Sequence, residues 1–454
     1  MKLKPHQVDG INWLQRVERG LLADSPRSGK TAQLLLAAEG RTLVVAPPFL
    51  DKTWHEQRDL WRPDLDFTFV GYQSIARRAP NKQGKMLRTE PFPKDEYRGK
   101  WDTVICDESH NLTNIKANWT QAAARLDYDR LYLATGTPVA HWVHDLLMTL
   151  RLLFPGDRRF TNKSTWLRHW FKMSPNPFSK SLEPYVPIGD FNNGLLDKWT
   201  WEQFWYENGL DGFDGKMLQR EVDLGVPVTE QTIEVPMTAS QAKLYKQLKK
   251  DYIAWTENGT EVSAWSDGGL HTKLMQCATG TEVLEDTPPT GMLGTGSGKL
   301  QVVRELLPES RRSPMLLFCY YRRTADILAK MADQEGLRWG MIKGGVANDD
   351  RDTLRHTFQN GELDVLIGTV STVAVGLTLS RAATEVFVEH SWTPWKNIQA
   401  RQRAMELGKQ SPVHIIDLWT EKTVDIGMRE TVQTKTEQQI NSLSARDFRA
   451  MLDG

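Results

Sequence analysis

The chain has 454 residues, enough for two or three domains with ample cores. Its 57 basic and 57 acidic side chains cancel, so no overall basic field marks a nucleic-acid binder, although a groove can be basic on a neutral molecule. Cys106, Cys277 and Cys319 form no CxxC pair, no apolar run reaches membrane-spanning length, and MKLKPHQ is no signal peptide. That argues against a disulfide framework, a zinc site and a membrane anchor, and points to a reducing compartment, the cytoplasm.

The first third alternates apolar runs with helical patterns. Thr42–Ala46, Thr103–Cys106 and Leu131–Ala134 read as buried strands, and Gly29–Ala38 and His141–Leu153 as helices. This rhythm predicts an α/β fold with a parallel sheet covered on both faces, and ligands gather at the carboxyl ends of such strands. From Pro155 to about Val222 the rhythm breaks into a stretch rich in Trp, Asn, Pro and Gly, with helical patches at Lys163–Lys172 and Leu195–Glu207. Gln231–Pro236 reads as a strand, Ser240–Trp255 as a helix and Asp286–Gly298 as a loop. The α/β rhythm then returns, with strands expected at Met315–Tyr320, Trp339–Ile342, Val365–Gly368, Glu385–Val388 and His414–Leu418. Thr420–Leu452 reads as mostly helical. The expected division is 1–156 (first lobe), 157–222 (Trp-rich helical insertion), 223–300 (connector with a helical protrusion), 301–420 (second lobe) and 421–454 (C-terminal helical segment).

Three segments carry chemistry. In SPRSGKT (Ser25–Thr31), Ser28 and Gly29 lead into a helix whose N-terminus favours phosphate; Lys30 adds a charge and Thr31 can ligate Mg²⁺. Asp24 stands where a strict GxxxxGK[ST] loop has its first glycine. GTGSGKL (Gly294–Leu300) has more glycines, but Leu300 cannot hold Mg²⁺, so it reads as linker. Asp107 and Glu108 follow a strand: one carboxylate can hold Mg²⁺, and its neighbour can orient or deprotonate the attacking water. Gln399, Arg401 and Arg403 lie on an expected helix after Trp392-Thr393-Pro394, and an arginine there can act as a finger on the transferring phosphoryl group. Thr135-Gly136-Thr137-Pro138 ends a strand as a turn or as a coupler. Taken singly, each has a plain reading: a chance loop, an acidic turn, an ordinary turn, a solvated basic helix face. Their combination describes a phosphoryl-transfer motor.

In order and spacing these segments resemble a Swi/Snf-type superfamily-two helicase or translocase, in a compact form similar to phage-encoded members. LKPHQVDGINWL (Leu3–Leu14) resembles the glutamine motif, ADSPRSGKT motif I, LVVAPPFLDKTW (Leu43–Trp54) motif Ia, and ICDESH motif II. LATGTPVAHWVHDL (Leu133–Leu146) resembles motif III, MLLFCYYRRTADIL (Met315–Leu328) motif IV, IGTVSTVAVGLTLSRA (Ile367–Ala382) motif V and WTPWKNIQARQRAMELGKQ (Trp392–Gln410) motif VI. MLQREV (Met217–Val222) and SGKL (Ser297–Leu300) match weaker landmarks.

The resemblance implies two RecA-like parallel-sheet lobes with a helical insertion between them and ATP with Mg²⁺ at their interface. It implies that Gln7 reads adenine and that Ser28, Gly29, Lys30 and Thr31 bind phosphate. Thr31 and Asp107 would hold Mg²⁺, and Glu108 would act on water. His110, Thr135, Thr137 and Gly376 would couple the lobes, while Gln399 and Arg403 approach the γ-phosphate. Pro47, Thr369 and Trp392 would face nucleic acid. Two departures stand out: Arg27 replaces a motif I glycine, and Glu406 replaces the second motif VI arginine. The expected activity is that of an ATP-dependent nucleic-acid motor, a DNA helicase or double-stranded DNA translocase, acting as a monomer and host-cytoplasmic if phage-encoded. An RNA helicase on the same fold and a hydrolysis-poor, ATP-gated nucleic-acid clamp or partner-docking protein are the alternatives.

Overall fold

The computed structural model describes residues 2–80, 87–139, 143–175, 182–184, 195–196, 198, 200–208, 215–251, 253–255, 261–263, 267–280, 297–373, 377–430 and 432–433. The chain divides into two compact units, one spanning Met1–Asp223 and the other Leu224–Gln433. Each is built on a six-stranded parallel sheet, so the two RecA-like α/β lobes expected from the motifs are present.

The strands of the two large sheets are numbered here in chain order. The first unit contains β1 (Arg19–Leu22), β2 (Thr42–Ala46), β3 (Phe67–Gly71), β4 (Lys100–Asp107), β5 (Asp127–Ala134) and β6 (Met217–Leu218), in the spatial order β6-β1-β5-β4-β2-β3. Every residue of β2, Thr-Leu-Val-Val-Ala, is buried, as a parallel strand covered on both faces requires. Trp54, Leu34 and Tyr132 lie in the core on one face of the sheet; Trp101, Val104 and Leu133 lie in the core on the other. Periodicity missed β1, β3 and β6, which are short or carry polar residues.

Downstream of β5, Asp157 and Asn162 cap two short helices, Arg158–Thr161 and Lys163–Trp170, by accepting from the amides of Arg159 and Thr165. Trp166 and Trp170 are buried against Phe171 and Phe204, and Trp166 donates to Asn208 Oδ1 at 3.2 Å. These two tryptophans are core residues; the side chains of Trp199, Trp201 and Trp205 lie outside the described set. The helix expected over Leu195–Glu207 begins only at Trp201, where Thr200 and Gln203 form a capping box, and Leu195 instead bridges Phe171.

The second unit contains β7 (Val228–Val235), β8 (Met315–Cys319), β9 (Trp339–Ile342), β10 (Val365–Thr369), β11 (Thr384–Phe387) and β12 (Val413–Thr420), in the order β7-β12-β11-β8-β10-β9. The strand expected at Gln231–Pro236 is thus an edge strand of this sheet, paired along its length with β12. The helix expected to reach Trp255 ends at Asp251, and Ile253–Trp255 pairs antiparallel with Glu261–Ser263. Ser297–Leu300 is not linker: Ser297 accepts from Leu300 N and caps a helix over Gly298–Leu306. Lys299 on that helix is buried, 2.6 Å from Asp425 Oδ2 and donating to Val388 O at 2.9 Å. Thr420 is the last residue of β12 rather than the start of a helix; helix begins at Val424. The expected loop at Asp286–Gly298 falls largely, and the C-terminal segment beyond Gln433 wholly, outside the described residues.

Candidate nucleotide site

Register places the ends of the first unit's strands level with one another. Ala134 pairs with both Leu22 and Asp107, and Cys106 pairs with Val45. The residues just beyond β1, β4 and β5 therefore share one edge of the sheet, and these are the segments singled out above.

After β1 the chain turns through Ser25–Gly29 into a helix over Lys30–Ala37. Gly29 has φ 81°, in the left-handed region where a side chain is strained, and an added Cβ would strike the carboxamide of Gln7. Arg27, where the motif carries glycine, is also left-handed at φ 67°. No described side chain caps the Lys30–Ala37 helix, so its N-terminal amides are not taken by a cap. Gln7 is buried on the helix Pro5–Arg16; its Oε1 accepts from Lys4 N at 2.9 Å and its Nε2 donates to Ser28 O at 3.4 Å. Ser28 is fully buried, and its Oγ has no hydrogen-bond partner among the described residues. Lys30 Nζ donates to the carbonyls of Asp24 at 2.8 Å and Ser25 at 3.0 Å. Burial pushes its pKa down, against the pull of Glu108, Asp24 and Asp107. Half-buried Thr31 follows on the same helix.

Asp107 ends β4. Its Oδ2 accepts from Trp54 Nε1 at 3.1 Å, its Oδ1 from Glu108 N at 2.9 Å, and its carbonyl from Tyr72 OH at 2.6 Å. Burial and then the Glu108 charge raise the Asp107 pKa to about 6, with Lys30 pulling the other way. Glu108 is left-handed at φ 50°, and its Oε2 lies 3.3 Å from His110 Nδ1. His110 Nδ1 also meets Thr135 Oγ1 at 3.1 Å, and Thr135 Oγ1 accepts from Thr137 N at 3.1 Å. Gly136 packs against Pro26 of the phosphate loop. One polar chain thus runs from the carboxylate pair through His110 to the Thr135–Thr137 turn, which touches the loop. Trp54 and Tyr72 were not foreseen as partners of Asp107. The signal was slight: Trp54 closes the motif Ia segment.

Among the described residues no group of three or more His, Cys, Asp or Glu could hold a metal. Mg²⁺ is commonly held through substrate phosphates, water and one or two protein oxygens, and Thr31 and Asp107 are the residues that would supply those oxygens here.

In the second unit the helix after Thr393 spans Pro394–Arg401 and stops there, so Arg403 lies beyond it rather than on it. Gln399 is buried, with Oε1 unpartnered among the described residues. Arg403 is also buried; its Nε donates to Gln399 O at 2.8 Å and its Nη1 to Leu377 O at 3.1 Å. Arg401 Nη2 contacts both Asp417 oxygens, at 2.8 and 2.7 Å, and its guanidinium lies over the Phe387 ring. Glu406 is exposed, and its charge acts on Lys409. Thr369 is buried and bonded to Thr372, Pro47 is buried beside exposed Pro48, and half-buried Trp392 meets the His271 ring edge-on at 4.9 Å. Gly376 lies outside the described residues.

Residues 6–281 match the SNF2-related domain and residues 298–408 the helicase conserved C-terminal domain. The chain is 26% identical to the chromatin structure-remodeling complex subunit snf21 of Schizosaccharomyces pombe, over 98% of this chain and 40% of that protein. It is 25% identical to the ISWI chromatin-remodeling complex ATPase CHR17 of Arabidopsis thaliana, over 96% of this chain and 42% of that one. For the ISWI chromatin-remodeling complex ATPase ISW1 of Saccharomyces cerevisiae the identity is 24%, over 96% and 40%. The chain spans about two fifths of the length of these relatives. With the SNF2-related domain matching more than half its residues and the helicase conserved C-terminal domain following it, the chain belongs to the SNF2-related family of Swi/Snf-type superfamily-two proteins.

Proposed function

We propose that this protein hydrolyses ATP with Mg²⁺ and uses the energy to move along duplex DNA. The observation that carries the reading is electrostatic: Lys30, at a helix N-terminus, feels the charges of Glu108 and Asp107 from the end of a neighbouring strand. A cation for phosphate and an acid pair for metal and water thus share one edge. Lys30 rests on neutral carbonyls that a phosphate outcompetes. Bound Mg²⁺ would neutralise charge on the phosphates. Glu108, 3.3 Å from His110, would orient water, and His110, in contact with Thr135, would pass on the state of the site. Arg403 and Gln399 are the candidates for the γ-phosphate that the resemblance names. Duplex DNA as track is supported by the family and by the chromatin-remodeling relatives. The test is ATP turnover by the full chain against single-stranded, duplex and forked DNA and RNA. Stimulation by duplex DNA supports the reading, and stronger stimulation by RNA replaces it with RNA translocation.

A second reading, an ATP-gated clamp with little hydrolysis, is favoured by one observation. Arg401 and Arg403 are both engaged within their own unit, and an exposed carboxylate, Glu406, stands at the position of the second motif VI arginine. ATP binding without DNA-stimulated turnover selects it.

A further inference from the structure

Asp24 and Arg220 stand 196 residues apart in sequence and are in direct contact. The Asp24 carboxylate is fully buried. Arg220 Nε donates to its Oδ1 at 2.8 Å and Arg220 Nη2 to its Oδ2 at 2.6 Å. Gln33 Nε2 approaches Oδ2 at 3.4 Å, and Arg220 Nη2 also donates to Gln33 Oε1 at 3.2 Å. A carboxylate buried this deeply needs such pairing, and the planar guanidinium fork supplies it in one geometry.

The backbone delivers Arg220 to this position. Leu21 N donates to Lys216 O, Ala23 N to Leu218 O and Ser25 N to Arg220 O, at 2.7, 2.7 and 2.9 Å, while Val222 N donates to Ser25 Oγ at 3.0 Å. The ladder between β1 and β6 therefore continues into the first residues of the phosphate loop. Asp24 lies on the limb entering that loop, and Gln33 lies on the helix leaving it. The carbonyls of Asp24 and Ser25 are the two acceptors on which Lys30 rests. The helix bearing Gln7 closes on the same guanidinium: a Cβ added at Gly10 would lie 2.8 Å from Arg220 Nη2.

We infer that Arg220 is a positioning residue for the phosphate site. By tying Asp24 to Gln33 it fixes the spacing of the loop's two limbs, and with it the place from which Lys30 reaches phosphate. This role rests on the reading of the loop as the ATP site, and the experiment separates the two.

A fluorescent ADP analogue with Mg²⁺ is titrated into the full chain and into Lys30→Ala, Arg220→Lys, Arg220→Met and the Lys30→Ala/Arg220→Met pair, alongside thermal melts and KM and kcat for ATP. Arg220→Met is expected to weaken nucleotide binding about tenfold, with KM rising more than kcat falls. Arg220→Lys restores part of the affinity. The double variant binds no more weakly than Lys30→Ala, because Arg220 acts through Lys30. A lower melting temperature with unchanged affinity in the folded protein, or losses that add to those of Lys30→Ala, overturns the inference. If Arg220→Met does not fold, Arg220→Lys and Gly10→Ala, which disturb the fork while keeping a cation, carry the same comparison. Wild-type binding by Lys30→Ala brings down the reading of the loop itself.

Discussion

Two sheets of the same parallel design hold their cations differently. In the first unit, Lys30 is held by two neutral carbonyls. In the second, Arg401 is clamped on the Asp417 carboxylate, and Arg403 spans the carbonyls of Gln399 and Leu377 while buried. A charge held by neutral acceptors is available to an anionic ligand. A charge held by a buried carboxylate is committed to the fold, because removing one partner strands the other. On the proposed reading, the Lys30 ammonium of the first unit is the one open to phosphate. In the second, Arg403 donates to the carbonyls of Gln399 and Leu377, while Arg401 is held by the Asp417 carboxylate.

Lys30→Ala tests the first half most severely. ATP turnover should fall by about 10³-fold or more, and Glu108→Gln should still bind ATP while hydrolysing it poorly. Wild-type turnover in Lys30→Ala contradicts the comparison. Arg403→Ala is the next largest. Stimulated turnover should drop by at least about 10³-fold with ATP binding kept, as for a lost finger. Normal single-turnover hydrolysis would make Arg403 as structural as Arg401. For Asp417→Asn the expected loss is stability, about 3 kcal/mol in urea at neutral pH, because Arg401 loses its buried partner. Burial alone would raise the Asp417 pKa, but the hydrogen bond and charge of His390, with Arg401, hold it at about 2. A folded pKa below the unfolded one stabilises above the unfolded value and is lost as pH falls through about 2. The wild type should therefore lose its advantage over Asp417→Asn as pH falls from about 5 toward 2.

Asp107 has the opposite sign. Its folded pKa, about 6, lies above the unfolded value, so its ionised form opposes folding at neutral pH, and that penalty fades as pH falls through about 6. Nucleotide-free Asp107→Asn should gain about 2 kcal/mol at pH 7.5, keep about half of that gain at pH 5 and little of it at about pH 3.5, and lose Mg²⁺-dependent turnover. Smallest is Arg27→Gly, which relieves a left-handed side chain; a gain of about 1 kcal/mol with nucleotide affinity kept is expected from a thermal or urea melt.

Local signals in the sequence were read well. Thr42–Ala46 and Trp339–Ile342 are strands over the residues that their apolar runs mark, GKT opens a helix and DES stands at a strand end, as expected. What escaped was set by partners far away in sequence. Lys299 looks like linker until Asp425 and Val388 surround it. Arg220 stands in a segment marked only as a weaker landmark, and Trp54 ends the motif Ia segment as one tryptophan among seventeen. The bond that gives each its role spans 53 to 196 residues, and no periodicity records it. The motif VI arginines show the same limit, since RQR indicates charge but not what the charge faces.

The three cysteines allow each unit to be watched separately. Cys106 sits in the first sheet and Cys319 in the second, both buried and unoxidised, with Cys277 buried on the helix Asp267–Thr279. Burial drives the Cys106 thiol to about 12 and Cys319 well above its ordinary value, so neither forms thiolate while packed. Alkylation then requires opening, and mass-resolved labelling rates become clocks for each sheet. Cys106 directly precedes Asp107 in β4. Nucleotide binding should therefore slow the Cys106 clock far more than that of Cys319, reporting ligand-linked protection without any reaction being followed.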